Sequence, residues 1–397
     1  MTVSNIVREK TDQAVETLEE TNVDAWITFG RDTADAPDPM QPLILGEEFI
    51  WPGMVLLTRG GRKIVICESH DAGNIQDLGL FDVRPYEESL ESAFSEAIEE
   101  VDPETIAVNY SRSDSTADGL SHGLYLELEH YLEGTEYHDA LTGAEDVIAG
   151  VRGRKSSTEL ERIQKAVDLA QEFLEQMRRS WQPSWSEADV AAFLHEQIDD
   201  HEIETAWERS MCPVVTAGAE ADHGHAKPSS RTLPRGEVLR LDFGVVYEEY
   251  CSDMQRLYYY PEEGETSPPA ELQSAFEDVR AAIAAGFDAL EPGVEGHEVD
   301  RAARDVITER GWPEFKHGLG HQVGRRVHDG GAYLGPTWER YGEAPYREVS
   351  EGEVFTIELG IETQWGYLAQ EEMARVTESG ATYLTEPQRE LKPLVEA

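Results

Sequence analysis

The stretch VLRLDFGVVYEEYCSDMQRLYYY, residues 238–260, decides the fold. Apolar and polar residues alternate on both sides of Glu248 and Glu249, which predicts two strands joined by a tight turn. Asp242 falls in the first strand and Asp253 in the second. A carboxylate inside an apolar strand is costly unless it is paired or binds a cation. Across a hairpin, two such groups can face each other. For this segment alone, two exposed carboxylates on a solvated sheet face are an equal alternative.

The sequence downstream shifts that balance. FKHGLGHQVGRRVHDGG (315–331) gathers His317, His321 and His328, with Gly318, Gly320 and Gly324 permitting close approach of backbone or ligand. Its glycine spacing is wrong for a phosphate loop, and it does not sit between a strand and a helix of a nucleotide-binding unit. EVFTIELGIE (353–362) reads as a strand with Glu358 among apolar and β-branched neighbours, and GYLAQEEMARVTESGATYLT (366–385) reads as a further hairpin strand containing Glu371. Two Asp, two Glu and one His form an oxygen-rich set. Hard donors of this kind suit Mn²⁺ first, with Co²⁺, Fe²⁺ or Zn²⁺ as alternatives. The excess of carboxylates suits two ions sharing ligands, about 3.5–4 Å apart. His195 opens HEQIDDH, which lacks the HExxH spacing of a zinc protease helix.

The ordered elements LDFG, SDMQR, HGLGHQVGRRVHD, FTIELG and the Glu371 segment resemble the pita-bread (M24) metallopeptidases. That superfamily includes methionine aminopeptidase, Xaa-Pro aminopeptidase, prolidase and creatinase. HGLGH is more similar to Xaa-Pro aminopeptidase and prolidase than to methionine aminopeptidase. The motif resemblance covers roughly residues 205–380; over residues 1–150 it is architectural only. It implies dinuclear metal ligands at Asp242, Asp253, His321, Glu358 and Glu371. It also implies substrate-binding histidines at His225, His317 and His328, with His225, His328 and the proton-shuttling Glu358 as the catalytic groups. The implied reaction is attack of a metal-bridging hydroxide on the peptide bond before proline in a short peptide. The implied fold is α+β: a C-terminal pita-bread domain (151–397) of duplicated helix-helix-sheet halves follows an N-terminal α/β domain (1–150) of the creatinase, ribonuclease H-like type. A homodimer is implied as well.

Two positions depart from the family pattern. Ala369 stands where relatives carry Arg two residues before the last Glu ligand, and Leu359 stands where they often carry Pro. The 324–348 segment is rich in aromatic residues and arginine; Arg325, Arg326, Arg340 or Arg347 could meet a substrate carboxylate, although charged loop residues are more often simply solvated. A non-peptidase C–N hydrolase of creatinase-like or ectoine-hydrolase-like type, or a catalytically silent binding protein, are the competing readings. The full ligand set speaks against both creatinase itself and the silent scaffold.

The helical periodicity fits this organisation. A long amphipathic helix is expected after Ser157 or Thr158, which could cap it, and a second over 187–201; a similar pair is expected over 271–290 and 297–311. Pro183 and Pro292, Val190 and Val299, Ile198 and Ile307 each stand 109 residues apart, which hints at duplication or at chance helical periodicity. In the first 150 residues, strands are expected at 23–29, 54–59, 63–69 and 105–110, with helices at 91–101 and 123–132.

Composition bounds the partners. Cys67, Cys212 and Cys251 form no CxxC pair, so neither a zinc knuckle nor a redox motif is signalled. The first residues, MTVSNIVREKTDQ, lack the apolar core of a signal peptide, and no apolar run is long enough for a membrane helix, so a cytoplasmic protein is expected. The net charge is −47, which disfavours nucleic acid as a partner. Such self-repulsion reads as adaptation to a salt-rich cytoplasm, or simply as a solvated acidic surface. The first of these predicts that molar KCl raises the thermal unfolding midpoint above its low-salt value; equal midpoints in the two buffers would refute it.

Overall fold

The computed structural model describes residues 2–32, 37–222, 224 and 226–394, the side chains of residues 2–4 excepted. It divides into two compact units, Met1–Thr158 and Glu159–Ala397.

The first unit opens with helix α1 (Thr2–Glu20), which the sequence reading did not anticipate. Strands β1 (Ala25–Gly30), β2 (Gly53–Thr58), β3 (Lys63–Glu68), β4 (Asp82–Tyr86), β5 (Ile106–Val108) and β6 (Leu141–Gly143) form one sheet in the order β4-β3-β2-β1-β5-β6. Helices α2 (Leu90–Val101) and α3 (His122–Leu132) bury Phe94, Ile98, Leu124 and Leu128 against Ile27, Leu56 and Ile66 of that sheet. Residues 151–158, placed by expectation in the second domain, pack here instead. Lys10 Nζ donates to the carbonyls of Val151 and Arg154 at 2.7 Å each, and Thr158 Oγ1 donates to Glu9 Oε1 at 2.8 Å.

Helix α4 (Ser157–Ser180), all but its first two residues in the second unit, begins at Ser157 itself, so neither Ser157 nor Thr158 stands outside it as a cap. Helix α5 (Glu187–Asp200) does have a capping box, in which Ser186 and Asp189 satisfy each other's backbone N–H groups. The expected second pair is α6 (Ala270–Ala289) and α7 (Gly296–Glu309). Val190, Ile198, Val299 and Ile307 are all buried, so the 109-residue echo lies on the core faces of α5 and α7.

The strands that build the main sheet and the ribbon beside it are β7 (Val214–Ala217), β8 (Val238–Phe243), β9 (Met254–Tyr259), β10 (Gly320–His321), β11 (Tyr333–Leu334), β12 (Val354–Thr363), β13 (Gly366–Thr377) and β14 (Gly380–Tyr383). The main sheet runs β12-β13-β9-β8-β7, with β14 on β13. Period-two alternation sorts β12: Phe355, Ile357, Leu359 and Ile361 join the core with α6 and α7, while Glu358 looks the other way. On the same side as the helices, Arg256 pairs with buried Glu372 at 2.9 Å and donates to the Glu371 carbonyl at 2.8 Å, tying β9 to β13. Among the described residues no helix is long and apolar enough to cross a membrane.

The β8–β9 hairpin differs from expectation at one point. Its turn lies at Glu248 and Glu249, both with positive φ, as the sequence indicated. Asp253, however, precedes β9 rather than lying in it, and the residue facing Asp242 is Gln255. The ladder breaks at Gly244 and Ser252, where a Cβ on Gly244 would collide with the Ser252 carbonyl.

Gly320 has an equally strict reason. A Cβ there would collide with the Thr356 carbonyl, so only glycine lets β10 lie against β12. Gly320→Ala should force the two strands apart and cost roughly 1–3 kcal/mol, as overpacking does, measured as a lower urea midpoint at unchanged m-value.

Candidate metal centre

Register alone assembles most of the site. Glu358 pairs with Glu371, Glu371 with Gln255, and Gln255 with Asp242, so four polar side chains stand abreast on four neighbouring strands. Directly opposed residues share a face of the sheet, with strands about 4.8 Å apart. Asp253 joins them from the break before β9, its backbone N–H directed at Met373 Sδ at 3.2 Å. His321 comes from β10, where Thr356 Oγ1 accepts its backbone N–H at 3.1 Å.

Asp253, His321 and Glu371 each offer a ligand atom, all within 4.8 Å of one another. His321 Nε2 lies 3.7 Å from Asp253 Oδ2, while Nδ1 lies 3.3 Å from the Gln322 carbonyl. A proton on Nδ1 shared with that carbonyl leaves the Nε2 lone pair facing the carboxylates, the tautomer a metal ligand needs. Burial, with His328 next to it, lowers His321 to about 3, so the ring is neutral and able to ligate.

The carboxylates show the opposite perturbation. Burial, then the charge of Asp242, raises Glu358 to about 7 against the opposing pull of Arg240 and Gln255. Burial followed by neighbouring carboxylates drives Asp253 and Glu371 well above the ordinary range. Asp253 Oδ1 is buried with no hydrogen-bond partner among the described residues. Crowded acids with an orphaned oxygen and one neutral imidazole suit a hard divalent cation, which would supply the missing positive charge.

The remaining expected residues fall in different places. His328 is exposed with its ring centroid 4.4 Å from that of His321, within reach of the cluster. His317 is exposed and packs edge-on against Phe315 at 5.5 Å. His225 lies outside the described residues. His195 Nε2 is 2.7 Å from the Cys212 carbonyl, a structural contact. Arg325 pairs with Glu249 at 2.6 Å, and Arg340 donates to the Lys316 carbonyl and to Tyr341 Oη.

Sequence reasoning missed Arg240 and Gln255. Arg240 Nη2 donates to Asp242 Oδ2 at 3.0 Å, Nε donates to Gln255 Oε1 at 2.9 Å, and Gln255 Nε2 donates to Glu358 Oε2 at 2.7 Å. Ala369 is buried and brings no charge; the guanidinium beside the carboxylates comes from β8. The signal was present in LRLD, where arginine stands two residues before a site carboxylate and therefore on its face.

Asp253, His321 and Glu371 together could hold a divalent cation, and Asp242 and Glu358 stand on the same sheet face beside them. Residues 161–378 match the model of metallopeptidase family M24, more than half of the chain. The chain belongs to that family, and its mixed helix-and-sheet architecture is the pita-bread fold. An uncharacterized peptidase of Staphylococcus saprophyticus is 31% identical over 218 residues, 55% of this chain and 58% of that protein. The chain thus spans little more than half the length of that relative. A Xaa-Pro dipeptidase of Pyrococcus horikoshii is 24% identical over 389 residues, 98% of this chain and 99% of that protein. The X-Pro aminopeptidase structure from Thermotoga maritima superposes with a TM-score of 0.69 at 22% identity, covering 96% of this chain and 99% of that one.

The metal-free protein should register the crowding. Glu358 titrates near 7 when folded against an ordinary 4.5, so its stabilising contribution is present below pH 4.5 and lost as pH rises through 7. In EDTA the melting midpoint of the wild type should therefore fall across that window, and Glu358→Gln should flatten the fall. An unchanged slope in the variant would contradict the shift.

Proposed function

We propose that this chain hydrolyses the peptide bond before proline in short peptides, as a Xaa-Pro aminopeptidase or Xaa-Pro dipeptidase. The observation that supports this most directly is the convergence of Asp253, His321 and Glu371, with Glu358 and Asp242 abreast of Glu371 through Gln255. Asp242, Asp253, His321, Glu358 and Glu371 would hold two divalent ions, Mn²⁺ by preference since oxygen donors dominate. Such ions acidify water and polarise a scissile carbonyl.

The protein's own groups carry the proton traffic. Glu358, by the family resemblance, accepts a proton from the attacking water and delivers it to the leaving nitrogen. Gln255 donates to one of its oxygens and leaves the other for that exchange. His328, exposed beside His321, holds the developing oxyanion by hydrogen bonding, with His225 as its partner and His317 on the substrate side. The protein would work as a homodimer in a salt-rich cytoplasm, the setting that its net charge of −47 suits.

The test is a panel of Xaa-Pro dipeptides, Xaa-Pro-containing tripeptides and unrelated small amides, assayed with Mn²⁺ and with EDTA. Turnover confined to Xaa-Pro peptides and abolished by EDTA is expected. Cleavage of only non-peptide amides would move the assignment to another C–N hydrolase. Asp253→Ala and Glu371→Ala should each abolish metal-dependent turnover, and a full-rate variant would refute the ligand assignment.

A further inference from the structure

Arg240 and Gln255 sit among the carboxylates, and the proposed chemistry uses neither as a ligand. Arg240 is 6% exposed and Gln255 3%. Their hydrogen bonds have a single sense. A guanidinium can only donate, so Gln255 must turn its oxygen to Arg240 and its NH₂ group to Glu358. Glu358 is thereby held as an acceptor. The same fork holds Asp242 through Nη2. One rigid planar group thus fixes carboxylates on β8 and β12, reaching the second through an amide that spans β13.

Arg240 counters the charge of the carboxylates around it, but stability alone does not account for the arrangement. Arg240 Nη1 and Thr216 Oγ1, on register-paired residues of β8 and β7, are both buried without a hydrogen-bond partner among the described residues. A buried charge left partly unsatisfied is costly, and apolar side chains of similar volume often make a more stable core. Bidentate geometry is what arginine adds that lysine cannot.

We propose that Arg240 and Gln255 are positioning residues that hold Asp242 and Glu358 in the orientation needed to take up divalent ions. This rests on the reading of the site as a metal centre given above.

The test uses the full chain with Arg240→Met, Gln255→Met and Arg240→Lys. Mn²⁺ uptake is measured by titration calorimetry, folding by the melting midpoint in EDTA, and turnover on a Xaa-Pro peptide. Both Met variants should bind Mn²⁺ roughly 10–100-fold more weakly, the usual cost of losing a group that orients a ligand. With Mn²⁺ saturating, kcat should fall while the peptide KM stays within about threefold, as expected when ground-state binding is untouched. Should the Met variants fail to fold, Arg240→Lys decides, since it keeps the buried charge and loses the fork; weakened Mn²⁺ uptake is again expected. Wild-type isotherms in the folded variants would overturn the proposal. A wild-type chain that takes up no Mn²⁺ would instead sink the metal-centre reading itself.

Discussion

Burying several carboxylates in one place is the constraint on which this molecule turns. Water-exposed acids repel each other weakly, but Asp253 and Glu371 are 5% and 1% exposed, and their mutual repulsion is not screened. The sheet must therefore be held together by something other than the site. The helix-side core of β12 and β13 does this, through Phe355, Ile357 and Leu359 against α6 and α7, reinforced by the Arg256–Glu372 pair. The second unit has two opposed faces: an apolar one that stabilises, and an acidic one that stabilisation makes possible.

The surface extends the same theme over longer distances. A net charge of −47 draws small cations toward the molecule. That field would favour cation supply to the acidic face, where retention of an ion would depend on local geometry. The neutral His321, aligned by the Gln322 carbonyl, shows how that geometry is set by groups outside the donor set.

Much of this was legible because acids in apolar strands are conspicuous. Asp242, Glu358 and Glu371 announced themselves by chemistry that a strand interior does not tolerate, but their common face emerged only with the strand register. Asp253 was legible as a residue but not as a place, because the break at Gly244 and Ser252 follows from a backbone collision that no periodicity records. Helix α1 was hidden by its own buried polar groups. Lys10, Thr11 and Thr17 lie on its inner face with Ile6, Val7, Ala14 and Leu18, and interrupt the apolar rhythm that marks a helix. Arg240 and Gln255 escaped for the opposite reason: they are ordinary polar residues in strands until their neighbours are known.

The β12–β13 hairpin carries a further implication. Thr363 pairs with Gly366 across a two-residue turn, and Glu358 and Glu371 are partners five rungs below it. Parity makes this element brittle to single-residue length changes within a strand. One residue gained or lost on either arm would send the acid beyond it to the opposite side of the sheet, among Ile357 and its apolar companions. Length variation here can be absorbed at the tip or in matched pairs, so the hairpin acts as a ruler whose graduations are two residues wide.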